Sequence, residues 1–165
     1  MTRLALTGFF RLKRIGGAAQ AALLALCLVV LGLPAVAFET SSIVIDTDSG
    51  AHPFTVEMAV TPGERGRGLM FRTAMAPDAG MLFDFGADEE ASMWMQNTYL
   101  PLDMVFIEAD GIVHRIAYNT TPFSTDIISS KGPVRAVLEL NAGTAEKIGL
   151  KKGDVIHHTM FGNSD

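Results

Sequence analysis

The chain has 165 residues and carries 13 lysines and arginines against 18 aspartates and glutamates. Its first 37 residues hold four of the basic residues and no acidic one, so residues 38–165 carry nine basic and 18 acidic side chains, a net charge of −9. This balance argues against nucleic-acid binding, which needs clustered cations to displace counterions from phosphates. The single cysteine, Cys27, lies in the leading segment, so the remaining chain has no disulfide and no thiol nucleophile.

The first 37 residues have the three parts of a secretory signal peptide. Basic residues precede an uncharged apolar stretch of 16 residues from Ala18 to Leu33, and Ala35-Val36-Ala37 places small residues where a signal peptidase reads them. An uncleaved anchor is the alternative, but the apolar stretch falls short of the roughly 20 residues that span a bilayer. We expect cleavage after Ala37 and a periplasmic or secreted protein that has no membrane segment after cleavage.

Alternation of apolar and polar residues with a period of two dominates the chain after the leader and predicts strands with one buried face. Such strands are predicted within residues 43–45, 54–60, 81–85, 104–107, 112–118, 134–140 and 155–161. Thr47 to Gly50 predicts the turn of a first hairpin, and Asp110-Gly111 predicts the turn of a second. The sequence therefore predicts one mainly β (α+β) domain over residues 38–165, a small barrel or sandwich of about eight or nine short strands.

Two short helices interrupt the strands in this prediction. Thr61-Pro62-Gly63-Glu64 supplies a hydroxyl for the N-cap, proline at the first helical position and glutamate at the third. Gly66 and Gly68 weaken the helix that follows, which indicates close backbone packing or an early end. The second helix is expected from about residue 142 to 148, with Gly149 as its left-handed stop.

A polar interruption separates two apolar segments in MWMQNTYLPLDMVFI, residues 93–107. The side chains of Asn97 and Thr98 can bond backbone groups that leave a sheet near the core. Asp103 starts the next predicted strand, where a buried carboxylate needs a partner, and Arg67 is favoured because its planar fork can bind a carboxylate through two bonds. Three other arginines are rivals for this ion pair: Arg65, Arg72 and Arg115. We predict that the four residues form a structural cluster first and a binding-site wall second.

Met93-Trp94-Met95 is the motif that most favours a metal, because thioether sulfur is a soft ligand for Cu(I) and a tryptophan ring can lie over a cation. In a strand, however, the two methionines share a face that Trp94 does not, and methionine is a common filler of irregular cores. No serine lies in a nucleophile elbow, and no two carboxylates are spaced as an acid and a base. An enzyme would need a polar cleft assembled from distant residues such as Arg67, Asn97 and Asp103.

Five segments together resemble the family called domain of unknown function 192: RGRGLMFR at 65–72, GMLFDF at 80–85, MWMQNTYLPLDMVFI at 93–107, DGIVHRI at 110–116 and VLELNAGTAEKIGLKKGDVI at 137–156. The resemblance implies a compact β-rich domain with short helices, often exported, whose activity is not established. Met93 stands where the family usually has phenylalanine, and Gln96 stands where it often has a basic residue.

We therefore expect a non-catalytic binding or accessory module of the cell envelope. Its partner is expected to be a small ligand or an envelope protein, with no nucleic acid and no cofactor involved. Trp94 is a candidate contact for that partner. The alternatives are an enzyme whose cleft is built around Arg67, Asn97 and Asp103, and a periplasmic Cu(I) handler that uses Met93, Trp94 and Met95.

Overall fold

The structure, a computed structural model, describes residues 37–164. The predicted signal peptide lies outside the described residues, except for Ala37 at its end. The elements in chain order are β1 (Thr40–Thr47), β2 (Gly50–Ala59), α1 (Pro62–Arg67), β3 (Ala79–Met93), β4 (Leu102–Ile107), β5 (Val113–Ala117), β6 (Ile128–Asn141), α2 (Thr144–Lys147), β7 (Val155–His157) and a 3₁₀ turn (Thr159–Phe161). No helix in this part of the chain is long and apolar enough to cross a membrane.

The strands form one sheet in the order β5-β4-β6-β3-β2-β1-β7, which curls into a half-barrel. Neighbouring strands are antiparallel except β2 and β3, which run parallel because the connection through α1 returns the chain to the same end of the sheet. The predicted mainly β class with two short helices is confirmed. The described residues contain seven strands instead of eight or nine, and residues 94–101 form a connection without a strand.

The local predictions on turns and caps are confirmed. β1 and β2 form a hairpin closed at Thr47 and Gly50, and β4 and β5 pair across a turn in which Gly111 has a φ of 90°. At α1 the Thr61 hydroxyl accepts from the Glu64 amide, and the Glu64 carboxylate accepts from the Thr61 amide in return. The second helix is shorter than predicted, and Gly149 follows it with a φ of 69°.

Each face of the sheet carries its own apolar cluster, because successive strand residues point to opposite faces. On β6, Ala136, Leu138 and Leu140 belong to a first cluster that includes Ala145 of α2 and Ile156 of β7. Val137 points the other way, into a second cluster that Leu69 and Met95 cover from the connections around the sheet. Glu139 has the same parity as Val137 and lies on the side of this second cluster.

Candidate functional site

The end of α1 brings two arginines to the edge of the second cluster. Gly68 ends the helix with a φ of 46° and a ψ of −136°, a conformation that residues with a side chain rarely adopt. A Cβ atom built at Gly68 would lie 3.1 Å from the Phe83 ring, so the glycine also permits close packing on β3. This packing holds Arg65 and Arg67 beside the sheet, as the glycine pattern predicts.

The polar interruption at residues 95–98 is a tight turn. The Thr98 amide donates to the Met95 carbonyl over 3.1 Å, and Asn97 has a φ of 55°, a conformation that asparagine tolerates better than most residues. The Phe71 amide donates to the Asn97 carbonyl over 2.9 Å, which joins the turn to the segment after α1. Thr98 is buried and its hydroxyl donates to the Gln96 carbonyl over 3.2 Å.

Between these two segments lies an open cleft of about 270 Å³. Residues 65–70 form one wall, and the segment from the end of β3 through the turn contributes Met93, Trp94, Gln96 and Thr98. Strand β3 contributes Phe83, Phe85 and Ser92, and strand β6 contributes Glu139. The cleft is therefore an apolar trough with a few polar groups, which is the usual composition of a small-molecule site.

The Glu139 carboxyl is the buried acidic group of the cleft, and it has no protein partner among the described residues. The residue is 4% exposed, and the carboxyl makes no hydrogen bond or ion pair with any residue in 37–164. The residues opposite Glu139 on the neighbouring strands are the uncharged Met81 and Met104. Burial raises the pKa of Glu139 to about 8, because an ionised carboxylate there would lose its hydration.

The two arginines of the cleft differ in how the protein holds them. The Arg65 guanidinium donates to the Asp84 carbonyl over 2.8 Å and to the Val60 carbonyl, and it lies 5.4 Å from the centre of the Phe85 ring. Arg67 is exposed, and its guanidinium bonds to no residue of the described chain. Arg65 is thus part of the wall, whereas Arg67 is free to contact a ligand.

The predicted ion pair between Asp103 and Arg67 is wrong. Asp103 is fully buried, but its oxygens accept from the backbone amides of Asn119 and Ala145, each over 2.9 Å. The physical reason is the strand period of two, which turns Asp103 toward the first cluster, on the opposite face of the sheet from Arg67. The three rival arginines bond elsewhere: Arg65 to Val60 and Asp84, Arg72 to Glu57, Arg115 to Ser129.

The predicted role of the Asn97 side chain also needs correction. The side chain is exposed and makes one weak contact, from its amide nitrogen to the Met70 sulfur over 3.8 Å. Asn97 contributes through its backbone, whose positive φ closes the turn. Of the four predicted cluster residues, the cleft brings together Arg67 and Thr98, while Asn97 and Asp103 lie outside its walls.

A family model covers residues 43–158 of the chain, the DUF192 family of uncharacterized ACR proteins. This chain belongs to the DUF192 family. A solved structure from Sinorhizobium meliloti, for which a role as a transcription regulator has been suggested, is 48% identical over 77% of this chain and 99% of its own, with a TM-score of 0.75. A protein of unknown function from Novosphingobium aromaticivorans is 37% identical over 76% and 89% of the two chains, with a TM-score of 0.73. No protein of curated function matches.

In this DUF192 chain the Met93-Trp94-Met95 motif does not converge on one point. Met93 and the half-exposed Trp94 line the cleft, whereas Met95 is buried in the second cluster and its sulfur accepts from the Thr120 hydroxyl over 3.2 Å. No group of three or more His, Cys, Asp and Glu residues within residues 37–164 is arranged to hold a metal ion. The sequence predicted that the two methionines would share a face away from Trp94, but β3 ends at Met93, and Met93 and Trp94 are the two that share the cleft.

A larger cavity of about 520 Å³ lies elsewhere on the DUF192 domain, and two of its polar side chains are already engaged. The His52 ring bonds with the Ser49 hydroxyl over 2.9 Å, and the Asn141 amide donates to the Met75 and Ala76 carbonyls. The cleft above Glu139 is smaller but offers a buried carboxyl and a free guanidinium. The cleft above Glu139 is the candidate site because of these two groups and not because of its volume.

Sequence reasoning did not find Glu139. The signal was nevertheless visible as an acidic residue inside the apolar run AVLEL, residues 136–140, in a strand whose two faces are both buried. A charged residue in such a strand needs a partner or a function.

Proposed function

We propose that this protein is an exported, non-catalytic binding module of the cell envelope that holds a small ligand in the cleft above Glu139. The observation that carries the proposal is the Glu139 carboxyl, which is buried, has no partner in the described chain and borders an open cleft. A carboxyl group that is 4% exposed and has no protein partner is costly to keep in a fold, and its place at the wall of a cleft points to a ligand site. The cleft volume of about 270 Å³ lies just below the usual range for drug-sized ligands, which favours a small molecule.

The leader supports the export part of the proposal. A basic start, an apolar stretch and the small residues at Ala35 and Ala37 fit a cleaved signal peptide. The compact unit that contains the sheet begins at Phe38, the first residue after the predicted cleavage. We do not extend to this chain the regulatory role suggested for the Sinorhizobium protein, because a net charge of −9 over residues 38–165 opposes binding to DNA.

A second candidate function is general acid catalysis by Glu139, and its raised pKa favours this role. A carboxyl group that stays protonated near neutral pH can give its proton to a leaving group. Two hydroxyls line the cleft, but the Thr98 hydroxyl donates to a backbone carbonyl and Ser92 bonds to no histidine or carboxylate of the described residues. Because no activated nucleophile accompanies the acid, binding is the first proposal.

Native mass spectrometry tests the proposal. The purified mature protein is equilibrated with the small-molecule fraction of an envelope extract, and the retained compounds are released and identified. Ser92→Leu narrows the cleft from an exposed position, and Thr55→Leu places the same side chain on an exposed position outside it. We expect wild type and Thr55→Leu to retain the same compound and Ser92→Leu to lose it. Equal retention by all three proteins, or retention by none, would contradict a ligand site in this cleft.

The same experiment separates the two candidate functions. A compound that is recovered unchanged after prolonged incubation supports a binding module. Conversion of the compound by wild type, lost in Glu139→Gln, would instead support the acid catalyst.

A further inference from the structure

The charges of the cleft define the class of ligand that it takes. Three lining residues have ionisable side chains, namely Arg65, Arg67 and Glu139. Two are permanent cations, whereas burial raises the pKa of Glu139 to about 8, so this acid is mostly neutral at pH 7. The cleft therefore carries a net positive charge within a domain whose overall charge is strongly negative. A local field of this sign attracts anions.

We propose that the cleft selects small organic carboxylates with an apolar body, with Arg67 binding the carboxylate and Leu69, Phe83 and Trp94 packing on the body. This inference rests on the proposed function and names the ligand class of the same site. A guanidinium matches a carboxylate through two parallel hydrogen bonds, and Arg67 has these donors free. A dianionic phosphate would be served best by more than one free guanidinium, and Arg65 already has its Nη1 bonded to the Val60 and Asp84 carbonyls.

The apolar walls argue for a body that is not itself highly polar. Leu69 and Phe83 are buried in the second cluster and present part of their surface to the cleft, and Trp94 adds a half-exposed ring at its rim. Removing the apolar body of the ligand and the Trp94 ring from water supplies a favourable term that a single ion pair near the surface does not. Selectivity for the charged end then comes from Arg67.

Glu139 makes this binding depend on pH. Its neighbours on β3 and β4, Met81 and Met104, are uncharged, and the charged side chains of the described chain that line the cleft with it are Arg65 and Arg67. The turn at residues 93–98 contains no ionisable side chain. Above about pH 8 the ionised carboxylate would offset the charge of Arg67 and repel a bound carboxylate. Affinity should therefore fall as pH rises through this region.

The test uses four probes with the same six-carbon chain: hexanoate, hexyl phosphate, hexanol and hexylammonium. Trp94 is the single tryptophan of the chain and lines the cleft, so its fluorescence reports binding. We expect hexanoate to bind saturably and more tightly than the other three probes. Arg67→Gln should weaken hexanoate binding about tenfold, since a charged hydrogen bond of this kind is lost. Lys152→Gln removes an exposed cation outside the cleft and should leave affinity unchanged.

The pH profile provides a readout that a purely structural role of Glu139 would not change. In wild type the affinity for hexanoate should fall between pH 7 and pH 9, and in Glu139→Gln it should stay level. Hexylammonium or hexyl phosphate binding more tightly than hexanoate, no effect of Arg67→Gln, or no saturable binding of any probe would overturn the carboxylate assignment. In that case the mass-spectrometry experiment decides the proposed function separately. If wild type retains a compound from the envelope extract and Ser92→Leu loses it, the binding function stands and the ligand belongs to another class.

Discussion

The substitution Glu139→Gln should make the protein more stable at alkaline pH. The ordinary pKa of 4.5 for a glutamate is raised to about 8 in the folded protein because the carboxyl is buried. Below pH 4.5 the group is neutral in both states, so its ionisation does not affect the free energy of unfolding. As pH rises toward 8, the unfolded chain releases the proton while the folded chain keeps it, so the free energy of unfolding falls. Above pH 8 the loss is complete, at up to roughly 5 kcal/mol for a displacement of this size.

Glutamine has nearly the same shape and stays neutral, so the variant should lack this loss. Urea denaturation of both proteins at intervals from pH 5 to pH 9 measures the difference. We expect similar unfolding free energies near pH 5 and a growing advantage of the variant above pH 6, on the order of a few kcal/mol at pH 9. Glu89→Gln is the matched control, because Glu89 is exposed on β3, and it should follow wild type. If the free energies of unfolding of wild type and Glu139→Gln change with pH in parallel, the conclusion that the Glu139 carboxyl is buried without a partner would be refuted.

Four further outcomes are expected. Protein from the envelope fraction should begin at Phe38 by intact mass, and a leader still attached would contradict export. Asp103→Ala should lower the free energy of unfolding by about 2–3 kcal/mol in chemical denaturation, because the buried Ala145 amide and the partly buried Asn119 amide lose their acceptor. Asn97→Gly should leave the midpoint near wild type, whereas Asn97→Val should lose about 1–2 kcal/mol, since a φ of 55° strains a β-branched residue. Submicromolar Cu(I) should leave Trp94 fluorescence unchanged, because Met93 and Met95 do not converge on one point. Saturable quenching of this fluorescence would contradict that reasoning.

Local signals in the sequence predicted the local structure of this domain well. The capping residues at Thr61 and Glu64 and the turn at Asp110-Gly111 act through neighbours in the chain, so their consequences follow without knowledge of the tertiary fold. The parallel pairing of β2 with β3 was not predicted, because it depends on how the chain crosses over through α1. Periodicity assigns faces to a strand, but it does not say which strands become neighbours.

The candidate site, like the strand order, could be predicted only in part from the sequence. Arg67, Thr98 and Trp94 were singled out from the sequence and do line the cleft. Asp103 was assigned to the same cluster, although alternation along β4 turns it to the opposite face and gives it backbone amides as partners. Glu139 was overlooked although it stands inside an apolar run, because its position beside the cleft depends on which strands flank β6.

The location of a bound ligand is the most direct test of the central claim that the cleft above Glu139 is the functional site. Amide chemical shifts of the mature, isotope-labelled protein are recorded as hexanoate is added. The account predicts that the largest saturable changes fall on residues 65–70 and 93–98, the two walls of the cleft. Changes confined to the other cavity, around His52 and Asn141, would contradict it.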